Sequence, residues 1–330
     1  MPPFSFLSLL LPLLLALSHY FQPTMADKLL ISTATNIQVM DVTDLTFTIA
    51  LELAATNALA YSVPSRALYY TTLSGRLHKC TVREDYTCSP TALTNPTTLY
   101  DAGGIANLTD LQFYENTPEN EHYAFFVHST ANTIYRIYER ATTISNSQIL
   151  ATLTVPLNTH GRLTSLVVVP APSKILFYTT TTGVYRAEFY TRNLPADWSV
   201  LVWENIYSST DISRLSLDIN GRILYVFAGL VLYKFPQGCS STTTCASNFV
   251  TPVYTSGSIM PDITAYGNEV VLLLSKNIDG ISFDMFYYHF DGVTHVLHQE
   301  GTGALRTAYI YNDDIVFRAV KESNQIRRTR

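Results

Sequence analysis

The stretch ALYYTTLSGRLHKC, Ala67 to Cys80, runs an aromatic pair into two threonines, turns at Ser74-Gly75 and returns as a second segment ending in cysteine. The same design comes back as ILFYTTTTGVYRAEF, Ile175 to Phe189, and as ILYVFAGLVLYKF, Ile223 to Phe235. Short apolar runs rich in aromatic and β-branched residues, broken by a polar turn, read as β-hairpins. Looser copies of the first arm are YAFFVHST from Tyr123, VVLLLSK from Val270 and DIVFRA from Asp314.

About ten residues ahead of each hairpin lies a shorter apolar strand entered from a polar or small residue. These are ALAYS from Ala58, DLQFYE from Asp110, SLVVVP from Ser165, RLSLD from Arg214, DITAY from Asp262 and TAYIY from Thr307. Their first large apolar positions, Leu59, Leu111, Leu166, Leu215 and Ile263, with Ala308 in the last, are separated by 52, 55, 49, 48 and 45 residues. A fourth run closes the units: TTLY, ILATLTV, WSVLVW, FVTPVY and THVLHQE. Four short strands per unit, no helical period and a step near 40–50 residues describe the blades of a β-propeller. A β-sandwich would share the short strands but not five near-equal steps.

The ends of the chain set the count. KLLISTATNIQVMDVTDLTFTIALEL, ahead of Leu59, supplies three strands without an inner one, and ALRTAYIYN supplies an inner strand alone. Joined, they complete one blade, so the expectation is an all-β fold of six four-stranded blades, one built from both termini. Such closure removes an open sheet edge. The tail DDIVFRAVKESNQIRRTR holds material for two more strands, which would make seven blades.

MPPFSFLSLLLPLLLALS reads as a signal peptide, with small residues Ala16 and Ser18 before a cut at His19. The expected organisation is signal 1–18, leader 19–27, propeller 28–320 and basic tail 321–330. The apolar run is shorter than a membrane span, and none remains after cleavage. Secretion fits the cysteines: Cys80 with Cys88 and Cys239 with Cys245 bracket polar turns, and local pairing gives two disulfides. Each short loop would contribute about 2–2.5 kcal/mol in the chain-entropy model. Asn107-Leu108-Thr109 is a glycosylation sequon. Charged residues are only 14% of the 330, and the net charge is −5, which argues against nucleic acid as a partner.

LAYSVPSRALYYTT, Leu59 to Thr72, and LSLDINGRILYVF, Leu215 to Phe227, resemble the YWTD (class B) repeats of the low-density-lipoprotein receptor group. The resemblance spans Lys28 to Phe317 and implies a six-bladed propeller that binds protein ligands. In that family the motif Asp ties neighbouring blades together. Here Thr72 and Thr180 stand in its place and no unit has the motif Trp, so other contacts must hold this ring. NHL-repeat proteins and gluconolactonase-like enzymes share the six-bladed plan.

Propellers work through the mouth of the central channel and its loops. Residues just ahead of the inner strands are expected there, and Asn57, Asp110, Arg214, Asp262 and Arg306 are the ligand-binding candidates. The expected function is a secreted, non-catalytic disc that recognises an extracellular protein or glycan and needs no cofactor. The alternative is a metal-dependent gluconolactonase-like hydrolase, with Ca²⁺ held by Asp110, Asp262 and Asn57, a thin set for an ion that takes 6–8 oxygens. Self-association into a matrix or filament is a further alternative, given 22 tyrosines and few charges. His295 and His298 fall on opposite faces by strand alternation, so a shared metal is not expected; Trp198 and Trp203 do likewise, one expected in the core and one nearer the rim. No GxSxG or HExxH motif is present. Protein exported from eukaryotic cells should begin at His19 by N-terminal sequencing. Its mass should fall on glycosidase treatment, and Asn107→Gln should abolish that shift.

Overall fold

The computed structural model describes the strands between residues 28 and 310 with most of their turns. Residues 1–27 and 311–330 lie outside the described residues, as do 84–86, 89–96, 103–107, 139–148, 170–173, 218–222, 237–250, 256–261, 301–305 and several shorter connections. Asn107, Cys239 and Cys245 therefore lie outside them, with the side chains of Asp262 and Arg306.

Among the described residues, 24 strands form six four-stranded antiparallel sheets. The first blade holds β4 (Thr56–Ser62), β5 (Ala67–Thr72), β6 (Arg76–Thr81) and β7 (Thr97–Asp101). The second holds β8 (Leu108–Asn116), β9 (Glu121–His128), β10 (Thr133–Tyr138) and β11 (Leu150–Thr154). A one-turn helix, α1 (Leu157–His160), leads into the third: β12 (Leu163–Val168), β13 (Ile175–Thr180), β14 (Gly183–Glu188) and β15 (Glu204–Ser208). The fourth holds β16 (Ile212–Leu217), β17 (Ile223–Ala228), β18 (Val231–Pro236) and β19 (Thr251–Thr255). The fifth holds β20 (Asp262–Tyr266), β21 (Glu269–Ile278), β22 (Ile281–Phe290) and β23 (Val293–Glu300). The composite blade has the order β24 (Arg306–Ile310), β1 (Lys28–Ser32), β2 (Asn36–Asp41) and β3 (Phe47–Glu52).

Closure is of the expected kind. Residues Lys28–Ser32 pair antiparallel with Arg306–Ile310, Leu30 opposite Ala308. The inner strands neighbour one another in an unbroken ring, β24, β4, β8, β12, β16, β20 and back to β24. All six blades share a register shift between third and fourth strands, after Ile37, Leu77, Ile134, Val184, Leu232 and Phe286. An extra residue at that place bends and twists the outer strand.

Two differences from the sequence reading follow from such irregularity. WSVLVW is not the fourth strand of the third blade; that strand starts at Glu204, and the tryptophans lie in the connection before it. Trp198 is buried and Trp203 half-buried, a core position and one nearer the rim as expected, and Trp203 Nε1 donates to Trp198 O. His295 and His298 stand opposite Tyr288 and Phe286, two residues apart, because the register shifts between them.

The doubled aromatics of the opening stretch are explained by packing on both faces. Tyr69 packs with Ala58, Leu111 and Phe126 towards the second blade, and Tyr70 with Leu30, Ile37 and Val39 towards the composite blade. In the third blade Tyr178 faces the second and Phe177 the fourth. A sheet buried on both sides reads as a continuous apolar run rather than an alternating one. Burial pushes the Tyr70 hydroxyl up to about 12. Gly75, at φ 78°, closes the first hairpin in a conformation that costs glycine little. Cys80 and Cys88 form a disulfide, Cα atoms 5.9 Å apart, buried in the cluster between this blade and the composite one.

Burial lowers the pKa of His78, with the Arg76 guanidinium adding to the effect, and burial does the same at His128. Both rings are therefore harder to protonate in the fold than in the unfolded chain. Their stabilising effect is full above the unfolded value of about 6.5 and is lost as pH falls below it, because the unfolded chain then binds more protons. Melting temperature should decline between about pH 7 and pH 5.5. His78→Gln should flatten that decline in a pH series of thermal scans.

Candidate functional site

Near the channel, each of four inner strands begins with an irregularity. Register shifts occur between Thr56 and Leu59, Leu108 and Asp110, Leu163 and Ser165, and Ile212 and Arg214. In the last three the skipped residue is Thr109, Thr164 or Ser213, each with a hydroxyl. Thr109 Oγ1 donates to Thr164 O (3.3 Å), Thr164 Oγ1 lies 2.8 Å from Thr179 Oγ1, and Ser213 Oγ reaches Phe227 O at 3.5 Å. The bulge re-aims the next residue, which is the position singled out from the sequence.

Those next residues form a relay between blades. The Asp110 carboxylate is engaged at both oxygens: Oδ1 accepts from Leu111 N (2.8 Å), and Oδ2 accepts from Leu166 N (2.9 Å) and from Ser165 Oγ. Ser165 Oγ in turn accepts from Leu215 N at 3.3 Å. The second, third and fourth blades are thus joined by one carboxylate and one hydroxyl. Arg214 Nη1 donates to Thr109 O, reaching from the fourth blade to the second. Charge-assisted bonds of this kind are roughly twice as strong as neutral ones.

The first blade is tied differently. Thr71 Oγ1 accepts from Ala58 N (2.9 Å) and donates to Leu108 O of the second blade (3.2 Å). Ser32 Oγ and Thr56 Oγ1 share a hydrogen bond between composite and first blades. Thr72 and Thr180, at the motif-Asp positions, serve their own hairpin turns instead: Thr72 Oγ1 accepts from Arg76 N (3.3 Å) and Thr180 Oγ1 from Thr182 N (3.3 Å). The inter-blade ties just described are made by Ser32, Thr56, Thr71, Asp110, Ser165 and Arg214.

Among the sequence candidates, Asp110 and Arg214 are brought to one place, Ser165 is fully buried between them, and Arg214 is only 6% exposed. Asn57 is half-buried on β4. Asp262 opens β20, opposite Leu273, and Arg306 opens β24, opposite Ser32. Three of these residue types follow a hydroxyl and precede a leucine, in Thr109-Asp110-Leu111, Thr164-Ser165-Leu166 and Ser213-Arg214-Leu215. That shared tripeptide was the legible signal. The roles of Thr71 and Ser32 carried none. No group of three His, Cys, Asp or Glu side chains converges among the described residues.

No family model matches the chain, and no curated protein matches it in sequence. Solved structures do match in fold. TolB from Acinetobacter baumannii aligns over 90% of this chain and 71% of its own, with TM-score 0.56 and 12% identity. A putative 6-phosphogluconolactonase from Bacteroides uniformis aligns over 84% and 83%, with TM-score 0.51 and 12% identity. The β-propeller domain of Cps50 (Swd1) from Myceliophteria thermophila aligns over 82% of each chain, with TM-score 0.51 and 15% identity. At these identities the likeness is one of fold: the chain is a β-propeller of four-stranded blades.

Because Asp110 holds two blades to each other, Asp110→Ala should cost about 1.5–3 kcal/mol in denaturant unfolding. Ser165→Ala should be milder, and the double variant should lose less than the two separate losses added, since they share a bond.

Proposed function

We propose that this protein is a secreted, non-catalytic binding disc that recognises an extracellular protein or glycan through its loops and channel mouth. The observation that carries the reading is the employment of Asp110. Both of its oxygens accept hydrogen bonds from the second and third blades, and Arg214 is committed to Thr109 O. A carboxylate so engaged is a poor ligand for a hard cation, which needs lone pairs free on several oxygens. Recognition then rests on the loops around the channel mouth, with Asn57, Asp262 and Arg306 kept as candidates from their places at the starts of inner strands β4, β20 and β24. The resemblance of Leu59–Thr72 to class B receptor repeats suits this reading, although the blade ties differ.

A gluconolactonase-like hydrolase is the second reading, suggested by the fold likeness, at 12% identity, to a putative 6-phosphogluconolactonase. In it Asp110, Asp262 and Asn57 would hold a divalent ion. Metal analysis of purified protein after dialysis, with lactone hydrolysis measured in added Ca²⁺, separates the two. The binding disc predicts no retained ion and no turnover, with Asp110→Asn changing melting temperature alone. Turnover that Asp110→Asn and Asp262→Asn both abolish would replace it with the enzyme.

A further inference from the structure

A cleft of about 520 Å³ lies on the outer part of the third blade, away from the inner strands. Its lining includes Arg186, Glu188, Tyr190, Val200, Val202 and Glu204. Tyr190, Val202 and Val200 are 85%, 80% and 73% exposed, the three highest values for large apolar side chains among the described residues. They line one cleft, and contiguous apolar exposure of this kind marks interaction sites more often than scattered exposure does.

The exposure is built rather than incidental to a loose loop. The connection between β14 and β15 is pinned onto the second blade at several points. Trp198 stacks on Phe125 at 5.0 Å, its backbone N–H donates to Thr152 O at 2.8 Å and its indole N–H to Pro195 O at 3.0 Å. Leu194 N donates to the buried Glu121 at 3.0 Å, and Arg192 pairs with Glu119 at 2.7 Å. Two tryptophans and Leu194 turn inward from this connection, while Tyr190, Val200 and Val202 stay outside. A surface held in this way loses little conformational freedom on binding.

Charge defines what the surface fits. Arg186 is buried, and its guanidinium pairs with Glu188, so its positive charge is already offset. Glu188 also accepts from Tyr190 OH at 3.0 Å. Glu204 stands opposite Arg186 in the strand register and is exposed, leaving the cleft with a net negative charge beside its apolar residues. β15 is the last strand of its sheet, pairing with β14 alone, so one backbone edge is open to an added strand.

We infer that this cleft docks an extended segment of another protein in which an aliphatic side chain sits next to Lys or Arg. The aliphatic group covers Val200, Val202 and Tyr190, and the cation meets Glu204 at the edge. The surface is separate from the channel mouth, so its test does not depend on the function proposed there.

The probe is a short fluorescein-labelled peptide of alternating Lys and Val, compared with its counterpart in which each Lys is Glu. Fluorescence anisotropy should show saturable binding of the Lys peptide that weakens with added salt, and none of the Glu peptide. Glu204→Lys and Tyr190→Ala should each weaken it about ten-fold or more. Glu52→Lys, which reverses an exposed charge on the composite blade, and Asp110→Asn should leave it unchanged. The three surface variants should melt with the parent, because the side chains they alter are exposed. Equal binding of both peptides, equal loss with Glu52→Lys, or no saturable binding would overturn the inference. So would a dimer in light scattering that Val202→Asp dissolves, since a second copy would then cover the cleft.

Discussion

Blade-to-blade contact is the constraint on which the rest of this disc depends. A four-stranded sheet with both faces apolar cannot stand alone in water, and each blade hides its two faces only against its neighbours. Tyr69 and Tyr70, adjacent in sequence, face opposite neighbours, as do Phe177 and Tyr178. Large aromatics bury the most apolar area per residue, so two side by side in the second strand supply both interfaces at once. The ring must close for every blade to be covered, and pairing of β24 with β1 does that.

Close to the channel the same seam turns polar, because inner-strand ends leave backbone N–H groups that must find acceptors. Asp110 takes Leu166 N and Ser165 takes Leu215 N, each an amide of the following blade. This employment sets what the channel can do. A carboxylate that anchors an amide, a hydroxyl and its own neighbour is bound into the scaffold. Chemistry then falls to side chains beside it, and recognition to surfaces the scaffold leaves free. The outer cleft of the third blade is such a surface, made rigid by Trp198 lying against Phe125.

Much of this architecture was readable in the chain. Spacing of the inner-strand leucines, the hairpin that follows each, and the missing inner strand at the N-terminus led to six blades and a composite closure. The positions ahead of those leucines were also readable as a set. What they do was not, because a carboxylate before a leucine looks the same whether it faces solvent or the next blade. Asp110 reaches Ser165 only because a bulge at Thr109 turns it, and bulges depend on the pairing partner as much as on the local sequence. The fourth strand of the third blade was misread for a related reason: WSVLVW has strand composition, yet its tryptophan is drawn into the seam with the second blade.

By itself the sequence determined the repeat, the number of strands in each unit and the joining of the two ends, since these follow from local apolar pattern and from counting. Tertiary structure alone decided which polar groups became ties between blades and which apolar ones stayed outside. Both outcomes rest on contacts between residues distant in sequence, 24 positions for Ser32 and Thr56, 55 for Asp110 and Ser165 and 73 for Leu194 and Glu121, and no local pattern records them.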